Sequence, residues 1–390
     1  MAATCNIMNA QTNDNIAGVV FDALTGLYIL SDPETIVDES VFMTLRMKME
    51  DDSVFSNLFA RLNKYHVPKD SGRALISSLF PDDFYYKKGE TQIKEGILVS
   101  GRLTKSNIGS SPGSGSIIQA LYKDYGMNRT VTFLSEVYWA GSNYLDTHGF
   151  SVGMDDCFLT GENPEKTIEY EVQKAKMLVK SMGVKVLDPL EEERREGQIR
   201  AYLDTAKNFG TKISKENLAE DNSFNIMAKS GSKGSVNNIA QITGILGQQF
   251  ISGERMPESI SGGTRSLPYF APGDMDPVAR GFVVNSYLTG LTPAELFFAL
   301  AGGRVGLTDT AVSTQVTGFL SHKLIKSLED IKIVTDGSVR NTSGNIYQFA
   351  YGEDGFNAGM IERVSTKTGS FTSFIDLKRV AGRINSKYGF

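Results

Sequence analysis

Four groups of residues in this sequence have types and spacings that lend themselves to chemistry. Ser230 to Ser235 reads SGSKGS, in which a Gly/Ser loop offers backbone N–H groups and Lys233 offers one cation, a combination suited to a phosphate. It is not a P-loop, because Lys233 is followed by Gly234 rather than Ser or Thr, and taken alone it reads more readily as a plain flexible loop. The stretch GGRVGLTDTAVSTQVTG (302–318) places Thr310, Thr314 and Thr317 at helical spacing, with Ala311, Gln315 and Gly318 beside them. Such a face has hydroxyl donors and no bulk. It admits either a flat partner or a second closely packed helix, and spacing leaves that choice open. Gly302 and Gly303 form a weak point where a helix can bend. Lys323 and Lys326 follow, placed to complement the helix dipole and to reach phosphates. The acidic pairs Asp82/Asp83, Asp155/Asp156 and Glu353/Asp354 are candidate magnesium ligands, although adjacent acids on loops usually serve turns and caps. His66, His148 and His322 are far apart and in no metal-ligand spacing, and Cys5 and Cys157 are the only cysteines. No zinc site, disulfide framework or Ser–His–Asp arrangement is indicated, so no metal ligand is assigned to this chain.

The elements that position these groups belong to an ordinary globular chain. At 390 residues, with 41% hydrophobic and 22% charged residues, it is long enough for two or three domains with real cores. A net charge of −5 gives no global footprint for nucleic acid, so any such contact rests on local patches or partner chains. No apolar run approaches the ~20 residues of a membrane span, and MAATCNIMNAQTNDN lacks the layout of a signal peptide. The reading is a soluble intracellular protein of a reducing compartment, without membrane partners.

Along the chain, AGVVFDALTGLYIL (17–30) and EGILVSGRLT (95–104) read as strands, or a strand and short helix, near turns. SNIGSSPGSGS (106–116) reads as a loop, and residues 116–149 carry apolar side chains at helical spacing. NPEKTIEYEVQKAKMLVKSMG (163–183) predicts a helix capped by Asn163, started by Pro164 and stopped by Gly183. LEEERREGQIRAYLDTAKNFG (190–210) predicts a second, ending at Gly210, and the two suggest an antiparallel hairpin standing partly in solvent. GQQFISGERMP (247–257) and RGFVVNSYLTGL (280–291) are dense in polar groups that must be hydrogen-bonded, as in a polar seam between domains. Thr292, Pro293 and Glu295 sign the start of a helix running to about Asp330, on the order of 55 Å long, with no heptad seam. Hairpin strands around Asp336-Gly337 and Ser343-Gly344 follow, and the basic residues from Arg363 look as if they depend on a partner for order. The fold class is therefore α+β and multi-domain, part of a larger assembly.

In series, NIMAKSGSKGSVNNIAQITGILGQQFISGERMP (225–257), GLTPAELFFALAGGRVGLTDTAVSTQVTGFLSHKLIKSLEDI (290–331) and TDGSVRNTSGNIYQFAYGEDGF (335–356) resemble the largest subunit of multisubunit DNA-directed RNA polymerases. The likeness is to the eukaryotic, archaeal and large-DNA-virus type. QTNDNIAGVVFDALTGLYIL (11–30) and HGFSVGMDDC (148–157) extend it over nearly the whole chain. The resemblance implies a pore domain over 1–162, a funnel domain over 163–275, and over 276–390 a bridge helix (about 293–330) with the start of a cleft region. It implies that Lys233 lies near the incoming nucleotide's phosphates and that Thr314 and Gln315 meet the template base. By the same resemblance Thr310, Ala311, Thr317 and Phe319 complete the template-facing helix, Gly302 and Gly303 act as its hinge, and Gln248 and Gln249 support its movement.

The sequence departs from the family at Ala299, Ala301 and Val305, where a His, a Met and a Glu are common, and at Ser313, where a basic residue is common. Gln315-Val316 replaces the usual Ala-Glu. The family's catalytic magnesium is held by an aspartate loop that would precede residue 1, and its trigger loop would follow residue 390. The expectation is therefore a segment of a split viral largest subunit, inactive alone, with Mg2+ bound by another chain. Its partners would be the remaining subunits, DNA template, RNA and nucleoside triphosphates. A non-catalytic scaffold or regulator derived from such a subunit is the alternative.

Overall fold

The computed structural model describes residues 3–9, 12–47, 57–111, 115–160, 164–183, 188–366 and 369–388. The first segment is built around α1 (Phe21–Leu30), with α2 (Glu39–Arg46), α3 (Leu58–Lys64) and α4 (Gly72–Ser77) before an antiparallel sheet of β1 (Tyr86–Lys88), β2 (Thr91–Lys94) and β3 (Ile97–Ser100). A short α5 (Lys105–Ile108) leads to α6 (Ile117–His148), which breaks its helical course at Gly126. Leu24, Leu27, Leu30, Phe80, Phe84 and Phe133 close one core between these elements. Residues 21–30 are helical rather than extended. They are enclosed by α4, α6 and α9 (Ser223–Ser230), so apolar side chains are needed all round and the amphipathic period that marks a surface helix is absent. Gly26 and Gly141 let α1 and α6 touch: a Cβ on Gly26 would lie 2.1 Å from the Gly141 carbonyl oxygen.

The second segment begins with α7 (Pro164–Ser181) and α8 (Pro189–Glu216). Ile168 lies near Gly210 at one end and Arg195 donates to the Gly183 carbonyl at the other, so the helices run antiparallel as expected. Their shared seam is Ile168, Val172, Ala175, Val179, Ile199, Leu203 and Ala206, and their outer faces are solvated. Asn163 lies outside the described residues. Gly210 does not stop α8, which continues to Glu216. Its missing side chain instead admits Ile245, whose Cγ2 would be 2.5 Å from a Cβ there. After α9, α10 (Val236–Thr243) is capped by Ser235, which accepts a hydrogen bond from the Asn238 N–H.

Two short pairings then form the seam toward the long helix. β4 (Gly247–Gln248) is followed by β5 (Phe250–Ile251), which pairs with β6 (Glu254–Arg255), while β4 itself pairs with β7 (Phe282–Val283). From this seam α11 runs unbroken from Pro293 to Leu328, 36 residues or ~54 Å. β8 (Lys332–Ile333), β9 (Val339–Arg340) and β10 (Ile346–Gln348) make the expected antiparallel sheet. β11 (Glu362–Thr366) and β12 (Gly369–Ser373) form a hairpin before α12 (Leu377–Tyr388). The expectation that this basic end waits on a partner is corrected. Arg379 pairs with Asp124 and Glu362, and Arg383 with Asp83, so acids of the same chain hold α12 against α6 and the residues before β1.

Candidate functional site

The base of α11 is its firmest part. Thr292 accepts from the Glu295 N–H, and Glu295 accepts in return from the Thr292 N–H at 3.0 Å, the capping box that the sequence announces. The sequence did not announce that Glu295 also reaches back to β7's exit, accepting from the Val284 N–H at 3.0 Å and the Asn285 side chain at 2.8 Å. Burial pushes its carboxyl up, but these donors outweigh that and hold it below the usual carboxylate range. Phe298, 1% exposed, stacks on Phe270 one turn later. Glu295 and Phe298 are the only buried residues of α11.

A relay of contacts supports the point where the helix leaves the body. Arg255 on β6 donates two hydrogen bonds to Glu196 of α8, at 2.7 and 2.8 Å. β6 pairs with β5, and the Phe250 carbonyl oxygen would stand 3.3 Å from a Cβ on Gly302. Gln249 lies beside the same glycine, its Oε1 3.5 Å from that Cβ position. Gln248 turns away, buried, and donates to the Gln249 and Arg280 carbonyls. Of the expected pair, Gln249 is the one beside Gly302. Gly302 faces this support, and Gly303 faces open space. Both are helical, with no kink.

Beyond Gly303 every residue of α11 except the half-buried Val305 is exposed. At ~100° per residue, Gly303, Gly306, Thr310, Thr314, Thr317 and Ser321 fall within an arc of about 80°, forming one smooth stripe. Ala311, Gly318 and Gln315 flank it on one side. Val305, Val312, Val316 and Phe319 lie on roughly the opposite face. The threonine hydroxyls are not free donors as expected. Thr310 donates to the Gly306 carbonyl at 2.9 Å, Thr314 to Thr310 at 2.8 Å and Thr317 to Ser313 at 2.8 Å. A helix interior invites this back-bonding, which leaves methyl groups and acceptor lone pairs facing out. Lys323 sits over the Phe319 ring at 4.4 Å, and Lys326 pairs with Glu329.

Lys233 lies elsewhere, on the loop between α9 and α10. Gly231 ends α9 in the left-handed region (φ +78°), and its bare Cα packs on Lys105 of α5, whose Cβ would be 2.7 Å from an added side chain. The fold thus brings a second lysine from 126 residues upstream, which nothing local to SGSKGS signals. Lys233 itself is exposed, with Nζ 4.9 Å from the centre of the Phe21 ring. The acidic pairs serve structure: Asp82 pairs with Arg61, Asp83 with Arg383, Asp156 accepts from the Gly153 and Ser223 N–H groups, and Asp354 from the Phe356 N–H. Among the described residues no group of three or more His, Cys, Asp or Glu is placed to hold a metal ion, so the residues described here do not fit a magnesium site. No helix among them is long and apolar enough to cross a membrane.

Three family models match in succession: RNA polymerase Rpb1 domain 3 over residues 6–157, domain 4 over 174–283 and domain 5 over 290–385. This chain belongs to the RNA polymerase Rpb1 family. Among curated proteins, a probable DNA-directed RNA polymerase II subunit RPB1 homolog of Invertebrate iridescent virus 6 is 29% identical, and the match covers 98% of this chain. DNA-directed RNA polymerase subunit Rpo1N of Halobacterium salinarum is 32% identical, again over 98% of this chain. The chain spans 39% of the length of each of these relatives. Within the Rpb1 frame, domain 5 opens within three residues of α11's first residue, and the Lys233 loop falls inside domain 4.

Proposed function

We propose that this chain is a working segment of an RNA polymerase largest subunit and acts in DNA-templated RNA synthesis. Residues 1–162 would form the pore through which nucleotides enter, 163–275 the funnel beneath the active centre, and 276–390 the bridge helix and the start of the cleft. The observation that carries this reading is α11 itself. A helix apolar on many sides is normally covered, and this one has only Glu295 and Phe298 fully buried by its own chain. A smooth stripe on one face and valines on the other fit a helix lying between nucleic acid and protein.

In this reading Thr310, Thr314 and Thr317 present a low, methyl-rich surface to the template, on which a flat base rests without steric obstruction. Ala311 and Gln315 flank that contact, whereas Phe319, expected to face the template, lies with the valines on the opposite side of the helix. Gly302 and Gly303 stand at the boundary between the supported base and the uncovered span, where a bend meets least resistance. Gln249 touches the boundary directly and Gln248 braces the strand behind it. Lys233, with Lys105 beside its loop, supplies cations for the phosphates of an incoming nucleoside triphosphate. Mg2+ and its aspartates would belong to another chain of the enzyme, together with the second-largest subunit and the rest of the largest. The assignment is tested by reconstitution with those subunits. Gly303→Pro and Lys233→Ala should each slow elongation, and unchanged rates for both would remove the bridge and phosphate roles.

A further inference from the structure

Phe21 has two unusual properties for an aromatic residue at the start of a helix. Its φ is +52°, in the left-handed region that side-chain-bearing residues avoid, and its ring is half exposed (50%) although α1 is otherwise almost wholly buried. Strain of this kind persists where surrounding structure enforces it, and it gathers at functional sites. The surroundings here are specific. α1 is locked between α6 and α9, and Val19, two residues before α1, donates its N–H to the Ile108 carbonyl at the end of α5, the helix that Lys105 starts. The backbone turn at Phe21 therefore lifts the ring out of the core, toward the loop that carries Lys233. The Lys233 ammonium rests 4.9 Å from the ring centre.

We infer that Phe21 is a positioning residue for Lys233, holding its ammonium ready for a nucleotide phosphate; this rests on the phosphate role proposed above. A ring face attracts a cation without accepting a directed hydrogen bond, so the three N–H donors stay available to phosphate oxygens. A carboxylate in the same place would hold the lysine more tightly and compete with the incoming anion. The ring also removes freedom from a long side chain on a Gly/Ser loop, which would otherwise have to be ordered when nucleotide binds. Phe21 and Lys233 come from segments more than 200 residues apart. Neither is explained by packing, since both are exposed to solvent.

The test uses the reconstituted polymerase and measures KM and kcat for nucleoside triphosphate. Phe21→Leu should raise KM about three-fold, as expected for one exposed cation–π contact, and leave kcat unchanged within experimental scatter. Phe21→Tyr should restore the original KM. A ring-fluorinated phenylalanine at the same position keeps the shape, weakens the face's attraction for a cation, and should reproduce the Phe21→Leu effect without any risk to folding. In a Lys233→Met background none of these changes should matter further. If Lys233→Met raises KM while Phe21→Leu and the fluorinated ring do not, the inference is overturned and the phosphate role of Lys233 stands. If Lys233→Met itself leaves KM unchanged, the phosphate role fails and the inference fails with it.

Discussion

In α1, Ala23, Leu24, Leu27 and Leu30 are at most 1% exposed, whereas in α11 Leu307 is 70% exposed and Phe319 59%. Both helices carry apolar residues on several sides, and neither shows the one-sided pattern of a surface helix. The shared pattern has opposite causes. α1 is wrapped by its own chain, so every face is core. α11 has its own chain only near its base, and its remaining faces are exposed. Absence of amphipathic period therefore says that a helix is meant to be covered, and says nothing about what covers it.

The contrast breaks most visibly with one change made twice. Leu27→Asp buries an unpaired charge in a closed core and should abolish folding of the first segment, while Leu307→Asp should shift the chain's own stability by no more than about 0.5 kcal/mol. Chemical denaturation followed by circular dichroism measures both, and a large loss from Leu307→Asp would show that α11 packs on its own chain. The supported base of α11 offers the next largest effect. Arg255→Ala removes two charge-assisted hydrogen bonds from the half-buried Glu196, which keeps Arg195 and Arg280 nearby, and should cost about 1.5–3 kcal/mol. It should also increase amide exchange at Phe250 and Gly302, whereas unaltered exchange there would mean the relay from α8 does not reach the helix.

A smaller, pH-dependent effect separates α12 from both. Burial pushes the Asp83 carboxyl up, but the Tyr125 hydroxyl and the Arg383 guanidinium outweigh it and leave its pKa below the ordinary 3.8. A depressed carboxylate contributes stability that is fully present above its unfolded value and is lost as pH falls through its folded value. Docking of α12 should thus be constant from about pH 5 to 8 and weaken below about pH 4. Spin labels on α12 and β3 would report the separation. A distance that lengthens instead between pH 5 and 8 would contradict the assignment to Asp83.

Much of the chain was legible before its structure. The Thr292–Glu295 capping box, the α7–α8 hairpin and the turns at Asp336-Gly337 and Ser343-Gly344 are local signals, complete within a few residues. Gly210 misled because a glycine that ends a helix and one that admits a neighbour look alike until Ile245 is seen against it. Residues 17–30 left strand and short helix open because a helix closed on all sides has no period to read. At the candidate site the residue types were visible but their company was not. Lys105, Phe21 and the reach of Glu295 to Asn285 depend on long-range contacts. The threonine hydroxyls were legible as polar groups, yet their donors are spent inside the helix.

The two-faced helix is tested most directly by a photo-crosslinking residue placed singly at Thr314 or at Val316 in the assembled, transcribing enzyme. The account predicts crosslinks from position 314 chiefly to template DNA and from position 316 chiefly to protein. Crosslinks from both positions to the same partner, or from 314 to protein alone, would contradict it.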